Sequence, residues 1–206
     1  MSTKTEAKSP VTSAVELPPV GTAIIEVKDI GKRYGNIIAL CDVSTSVRAG
    51  EVTVITGIPN HGKTPWISAL CLNMALLYDW QVTIFSPEQH PLERYSALLA
   101  GQYIGKPFDG DGRMTPEEKD RAMGWLDSHV TFLMPADDRP TLDALLTLAK
   151  AQVYRLGIKG LVIDPWTEME QSRPRNQGEP EYIGHALSKI RLFARHYGVH
   201  VWLVAH

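Results

Sequence analysis

Cysteine is nearly absent. Cys41 and Cys71 are the two cysteines in 206 residues, and they form no Cys-x-x-Cys pair. That usage speaks against a disulfide scaffold or a zinc knuckle and makes a reducing compartment the default. Long apolar runs are also missing. The sequence has no stretch of the ~18 apolar residues that a membrane helix needs, and its first residues lack the apolar centre of a secretory signal. A soluble, cytoplasmic domain without a membrane segment is therefore expected. Positive charge is not in excess either. Lys+Arg 21 against Asp+Glu 23 leaves a formal net charge of -2. This is not the global basic field of a strong nucleic-acid binder, although a local basic loop can still contact phosphates. What remains is an ordinary globular composition, 44% hydrophobic and 21% charged, too apolar for wholesale disorder and of a length for one domain or two small ones.

Residues 1–22 are rich in Ser, Thr, Lys and Pro without periodicity. They read as a flexible tail, a partner-binding arm being the alternative. AIIEVKDI at 23–30 and ALCDVSTSV at 39–47 alternate with period two around the turn-like KRYGN, which predicts an antiparallel pair. EVTVIT at 51–56 is β-branched and apolar, as a strand buried on both faces should be.

From there strands alternate with helices. A helix is predicted over 63–78, a strand at 81–86 and a helix from Leu92 to Ile104. Thr115, Pro116 and Glu118 supply the N-cap, first-turn proline and third-position glutamate of a capping box. A short strand follows at 130–134. Thr141 caps a helix that Gly157 stops, and GLVID at 160–164 is a strand. A helix over 180–197 ends at Gly198, and a strand covers 199–206. This order predicts an α/β fold with a mainly parallel sheet flanked by helices and a small antiparallel β head. Ligands then belong at the carboxyl ends of the strands. The expected division is tail 1–22, head 23–49 and core 50–206.

Gly57-Ile58-Pro59-Asn60-His61-Gly62-Lys63-Thr64 fits G-x-x-x-x-G-K-S/T between a predicted strand and a predicted helix. In such a P-loop the glycines let backbone N–H groups wrap a phosphate. Lys63 presents a point charge, the Thr64 hydroxyl can bind Mg²⁺, and the helix N-terminus adds positive potential. Asn60, His61 and Gly62 complete the nucleotide-binding set. Pro65 is unusual, because it has no N–H to offer an α-phosphate. The expected cost is one charge-assisted hydrogen bond, ~1.5–3 kcal/mol of nucleotide affinity.

Hydrolysis needs a carboxylate behind Mg²⁺ and another for the attacking water. Asp164 ends the strand GLVID, the usual Walker B position, a turn or cap role being the alternative. The next residue is Pro165, not the Glu found there in transporter ATPases. Glu88 in Phe85-Ser86-Pro87-Glu88 leaves the strand after the P-loop helix on the same rim, within reach of a γ-phosphate water. A solvated loop glutamate is the alternative.

GEVTVITGIPNHGKT, IFSPEQHP, YIGKPF, GLVIDPWTEMEQSRP and EYIGHALSKIRLFARHYGVHVWLVAH, within residues 50–206, resemble the RecA-like motor domain of replicative hexameric helicases of the Twinkle type. The resemblance implies that Lys63 and Thr64 bind ATP and Mg²⁺, Glu88 activates water, Asp164 is the Walker B carboxylate and His206 is a sensor. It also implies single-stranded DNA contacts through residues 167–180, with Arg173, Arg175 and Asn176 as phosphate-capable groups, and a hexameric assembly. A solvated loop with Glu168, Glu170 and Glu179 is the alternative for that segment. The family's second DNA loop and arginine finger would follow His206, so hydrolysis is expected to be weak or absent without them. Residues 24–56 resemble instead the start of a sugar-import ABC transporter ATP-binding subunit, which implies that Tyr34 stacks on adenine. No LSGGQ-like signature or Q-loop accompanies it. A nucleotide-binding interaction module and a transporter fragment are the alternatives to a helicase-type ATPase. His196 and His200 straddle Gly198 and do not read as a metal pair. Trp66, Leu70 and Met74 read as core residues at helical spacing.

Overall fold

The computed structural model describes residues 23–34, 37–89, 91–137, 139–170 and 178–205, and between 23 and 43 only the side chains of Glu26 and Lys28. The tail 1–22, His206, Arg173, Arg175, Asn176 and the Tyr34 side chain lie outside the described residues. Strands β1 (Ala23–Tyr34) and β2 (Ile37–Arg48) form a separate antiparallel sheet. Both run longer than predicted, because Lys32, Arg33 and Tyr34 continue to pair with Leu40, Ile38 and Ile37. Backbone pairing does not require the side-chain alternation on which the shorter limits rested.

The second sheet has the order β3-β7-β6-β4-β5, with β3 (Val52–Ile55), β4 (Val82–Phe85), β5 (Val130–Phe132), β6 (Gly160–Ile163) and β7 (His200–Val204). All its pairings are parallel. Helices α1 (Lys63–Tyr78), α2 (Leu92–Ile104), α3 (Pro116–His129), α4 (Leu142–Leu156) and α5 (Glu179–Tyr197) separate the strands in the chain. Two apolar clusters lie on the two faces. Val162 of β6 joins Ile67 and Met74 of α1, Tyr95 and Leu99 of α2 and Leu126 of α3. Its neighbours Leu161 and Ile163 join Leu145 of α4 and Ile190 and Phe193 of α5. The alternation inside one strand thus feeds both layers, as a parallel sheet covered by helices requires.

Local chemistry sets the helix ends. Thr115 accepts from the Glu118 N–H at 3.2 Å and the Glu118 carboxylate accepts from the Thr115 N–H at 2.9 Å, completing the capping box. Thr141 caps α4 through the Ala144 N–H, and Gly157 and Gly198 stop α4 and α5 in left-handed conformation. Gly160 is required for another reason. A Cβ there would stand 2.7 Å from the ring of Trp202, which is fully buried.

One expectation is corrected. β3 is not buried on both faces; Val54 is 51% exposed. Among the described residues β3 pairs with β7 alone and forms an edge of the sheet, so an apolar β-branched sequence does not by itself secure burial. β2 is nevertheless tied to this body at its end. Val47 is buried in the α1–α3 cluster, and the Arg48 carbonyl accepts from His200 Nδ1 at 2.6 Å. Among the described residues no helix is long and apolar enough to cross a membrane.

Candidate functional site

Strand β3 ends at Ile55 and the chain turns through Gly57 to Gly62 into α1. The turn uses positive φ at Gly57 (151°), Asn60 (62°) and Gly62 (84°). Gly62 is the N-cap of α1, in a left-handed conformation that a side chain strains even though space for a Cβ exists. Lys63 folds back over this loop, and its Nζ donates to the carbonyls of Gly57 at 2.8 Å and Ile58 at 3.0 Å. His61 Nδ1 bonds the Pro59 carbonyl at 2.8 Å. The positive end of α1 and the Lys63 ammonium therefore face one turn, an arrangement suited to an anion.

Thr64 connects the loop to β6. Its Oγ1 donates to Asp164 Oδ2 at 2.7 Å, although the two residues are 100 positions apart in the chain. Asp164 is 2% exposed and follows β6 directly, its N–H donating to the Phe85 carbonyl at the end of β4. The Asp164–Pro165 peptide is cis. A hydroxyl and a buried carboxylate converging at this distance are hard oxygen donors of the kind Mg²⁺ takes, usually one or two from protein with phosphates and water completing the shell. The residues present fit that ion.

Behind Thr64 lies a relay that the sequence did not disclose. Ser68 Oγ donates to the Thr64 carbonyl at 2.7 Å and shares a 2.9 Å hydrogen bond with the Tyr95 hydroxyl of α2. Both side chains are 1% exposed. Burial holds the Tyr95 phenol protonated, its pKa pushed well above the usual value. The carbonyl of Pro65 accepts from Gln102 Nε2 of α2 at 3.0 Å, so α2 holds the first turn of α1 at two points.

Two hollows flank Lys63. The smaller, about 260 Å³, is lined by Asn60, Gly62, Lys63, Thr64, Pro65, Glu88 and Gln89. Glu88 is exposed and arrives on the turn after β4, where the Gln89 N–H closes on the Ser86 carbonyl. Strand order thus brings Glu88 to the loop from the end of β4, with Asp164 at the end of β6, the strand beside it. The larger hollow, about 510 Å³, is lined by Gly57, Gly62 and Lys63 together with residues of β2, β3 and α1. Trp66 is half-buried and lines that hollow, whereas Leu70 and Met74 are core as expected.

Gly57, Asn60, His61, Gly62, Lys63, Thr64, Glu88 and Asp164 are therefore gathered at one rim. The roles expected of His206, Arg173, Arg175 and the Tyr34 ring fall outside the described residues. At the start of residues 167–180, Glu168 lies 3.8 Å from Arg139. His200 is no partner of the exposed His196. It is buried, with Nε2 at 3.0 Å from Thr53 Oγ1, and desolvation lowers its pKa below 6.5.

Known proteins resemble this chain in sequence and in fold. The family described as an AAA domain matches residues 43–206. The Twinkle homolog protein, chloroplastic/mitochondrial, of Arabidopsis thaliana is 42% identical over 168 residues, which cover 78% of this chain and 24% of that protein. The xylose import ATP-binding protein XylG of Histophilus somni (strain 129Pt) is 34% identical over 50 residues, 24% of this chain and 10% of its own. Among solved structures, a DnaB-like replicative helicase described with its interactions with primase superposes with a TM-score of 0.58 at 17% identity, over 76% of this chain and 39% of that one. The likeness in structure is one of fold, a mainly parallel sheet flanked by helices. The chain spans about a quarter of the length of its Arabidopsis relative.

Proposed function

Because the chain belongs to the AAA domain family, we propose that its rim of P-loop, Asp164 and Glu88 is an ATP site and that the domain is the ATPase of a DNA-helicase-type motor. The observation that carries this reading is the Thr64–Asp164 hydrogen bond at 2.7 Å, with Glu88 on the hollow that Thr64 lines. Gly57, Asn60, His61 and Gly62 wrap the phosphates with backbone N–H groups, and Lys63 exchanges its contacts with the loop carbonyls for phosphate oxygens. Thr64 and Asp164 hold Mg²⁺, which when bound offsets the charge of the phosphate oxygens. Glu88 orients and deprotonates the attacking water.

The same reading extends to the whole motor. Single-stranded DNA lies along residues 167–180, with Arg173 and Arg175 on its phosphates, His206 acts as the sensor, and six copies assemble in a ring. The Arabidopsis relative, which is Twinkle-like by name, and the replicative helicase with the same fold support this extension.

The test is nucleotide binding and ATP turnover with and without single-stranded DNA. Lys63→Ala should abolish binding. Glu88→Gln should keep binding and lose turnover by at least a hundredfold, as loss of a general base does. Tight ATP binding with no single-stranded DNA binding, and with any turnover neither raised by DNA nor lowered by Glu88→Gln, would replace the motor reading with that of a nucleotide-binding interaction module.

A further inference from the structure

The two hollows beside Lys63 differ in chemistry in a way that gives an ATP molecule a direction. The smaller carries Thr64 and the Glu88 carboxylate, groups for a metal ion and an activated water. The larger carries Val54, Ile58 and Trp66 with the hydroxyl residues Thr45, Thr53 and Thr56. Gly62 and Lys63 line both. A nucleoside triphosphate has matching ends, a charged terminal phosphate and an apolar aromatic base.

We propose that the larger hollow is a nucleoside subsite in which a purine base packs on Trp66, walled by Thr45 of β2. This rests on the reading of the P-loop as the triphosphate site and adds to it which residues take the base. Three observations support it. The volume, about 510 Å³, falls in the range of small-molecule sites, roughly 300–1,000 Å³. Ile58, at 66% exposure, presents apolar surface on the phosphate loop itself, where a ligand would cover it. Trp66 packs in part against the core and in part lines the hollow, so its ring is held in place before any ligand arrives.

The wall also sets the specificity. Hydroxyls rotate and serve as donor or acceptor, so Thr45 and Thr56 do not tell adenine from guanine. Thr53 is already engaged with His200. Ring area is what the hollow can measure, and ATP and GTP should bind alike, both ahead of CTP and UTP. The head strand β2 thereby acquires a role in nucleotide binding through Thr45, independent of Tyr34.

The experiment is calorimetric titration of the full chain with Mg²⁺ and ATP, GTP, UTP or tripolyphosphate, which has the charged end and no base. Trp66→Ala should weaken ATP at least about fivefold, the lower end of what base–aromatic stacking contributes, and leave tripolyphosphate unchanged. Trp66→Phe should restore most of the ATP affinity. Thr45→Phe, which fills the hollow from another element, should weaken ATP and spare tripolyphosphate. Equal loss of ATP and tripolyphosphate in Trp66→Ala and in Trp66→Phe would make Trp66 a support of the loop and overturn the subsite. So would unchanged ATP binding in both Trp66→Ala and Thr45→Phe. Failure of the P-loop reading looks different: the unaltered chain would then bind neither ATP nor tripolyphosphate, and the subsite would fall with it.

Discussion

Replacing Pro65 by alanine should strengthen nucleotide binding while slightly weakening the free protein. Pro65 is the third residue of α1, after Lys63 and Thr64, and the first backbone bond of that helix runs from the Trp66 N–H to the Gly62 carbonyl at 3.1 Å. N–H groups at the third position have no partner within a helix, so proline costs α1 nothing there. What it removes is a donor at the positive end of the helix, on the hollow that Thr64 and Glu88 line. A hydrogen bond to a charged group is worth about 1.5–3 kcal/mol. Pro65 is exposed, so the lower end applies. About 1.5 kcal/mol is roughly a tenfold gain in affinity.

The free protein should move the other way. Alanine restores freedom to the unfolded chain and costs on the order of 0.4–1 kcal/mol of stability, which in a domain of this size lowers the melting temperature by about 1–4 °C. The Gln102 bond to the residue 65 carbonyl survives, since it uses backbone. At saturating Mg²⁺-ATP the tighter binding adds about 1.4 kcal/mol for each tenfold in affinity, so the order of melting temperatures should become equal or invert. Calorimetry and thermal melts with and without nucleotide read both signs. ADP should gain as much as ATP, because the missing donor serves the α-phosphate. A Pro65→Ala protein that melts cooperatively and binds ATP no more tightly would refute the argument, and a gain for ATP without ADP would misplace the contact.

Two further outcomes follow from buried hydrogen bonds. Ser68→Ala should destabilise the chain more than Tyr95→Phe, ~1–3 against ~0.5–1.5 kcal/mol, because the first strands the buried Tyr95 hydroxyl and the second leaves Ser68 its bond to Thr64; equal losses in denaturant titration would contradict the relay. His200 is buried and its pKa lies below the ordinary 6.5, desolvation outweighing the Arg48 carbonyl and the Glu51 charge. Between the two values the unfolded chain binds the extra proton, so stability is complete above pH 6.5 and falls as pH drops towards the folded-state value. His200→Gln should flatten that slope between pH 7 and 5, measured by denaturant midpoints, whatever it does to stability at pH 7.

What the sequence disclosed about this site divides by the range of the interaction. The P-loop was legible because its chemistry is local: two glycines, a lysine and a threonine at fixed offsets, between a strand and a helix that their own patterns announce. Asp164 and Glu88 were legible one step further out, since parallel strands put their carboxyl ends on one rim whatever their order. Strand order itself was not legible, and two readings depended on it. β3 has the same β-branched apolar character as the buried strands, yet Val54 is exposed because its neighbour on one side is absent among the described residues. In sequence His200 has His196 near it, whereas its partners Thr53 and Arg48 are 147 and 152 positions away. The Tyr95–Ser68–Thr64 relay was hidden for the same reason, since it exists only where α2 packs on α1.

These long-range contacts share a direction. Asp164 holds Thr64 from β6, Tyr95 and Gln102 hold the first turn of α1 from α2, and His200 holds β3 and β2 from β7. The strand before the loop that sequence identifies as a phosphate cradle, and the first turn of the helix after it, are thus held from three other elements, each by a buried or part-buried polar bond or a backbone carbonyl. Flanks held in that way keep the N–H groups of the first turn of α1 aimed before an anion arrives, so less of the binding free energy is spent on ordering them. The one donor that turn lacks, at Pro65, then matters more than it would in a mobile loop. There a missing N–H could be offset by rearrangement; here residue 65 sits in a helix turn that Asp164 and Gln102 hold in place.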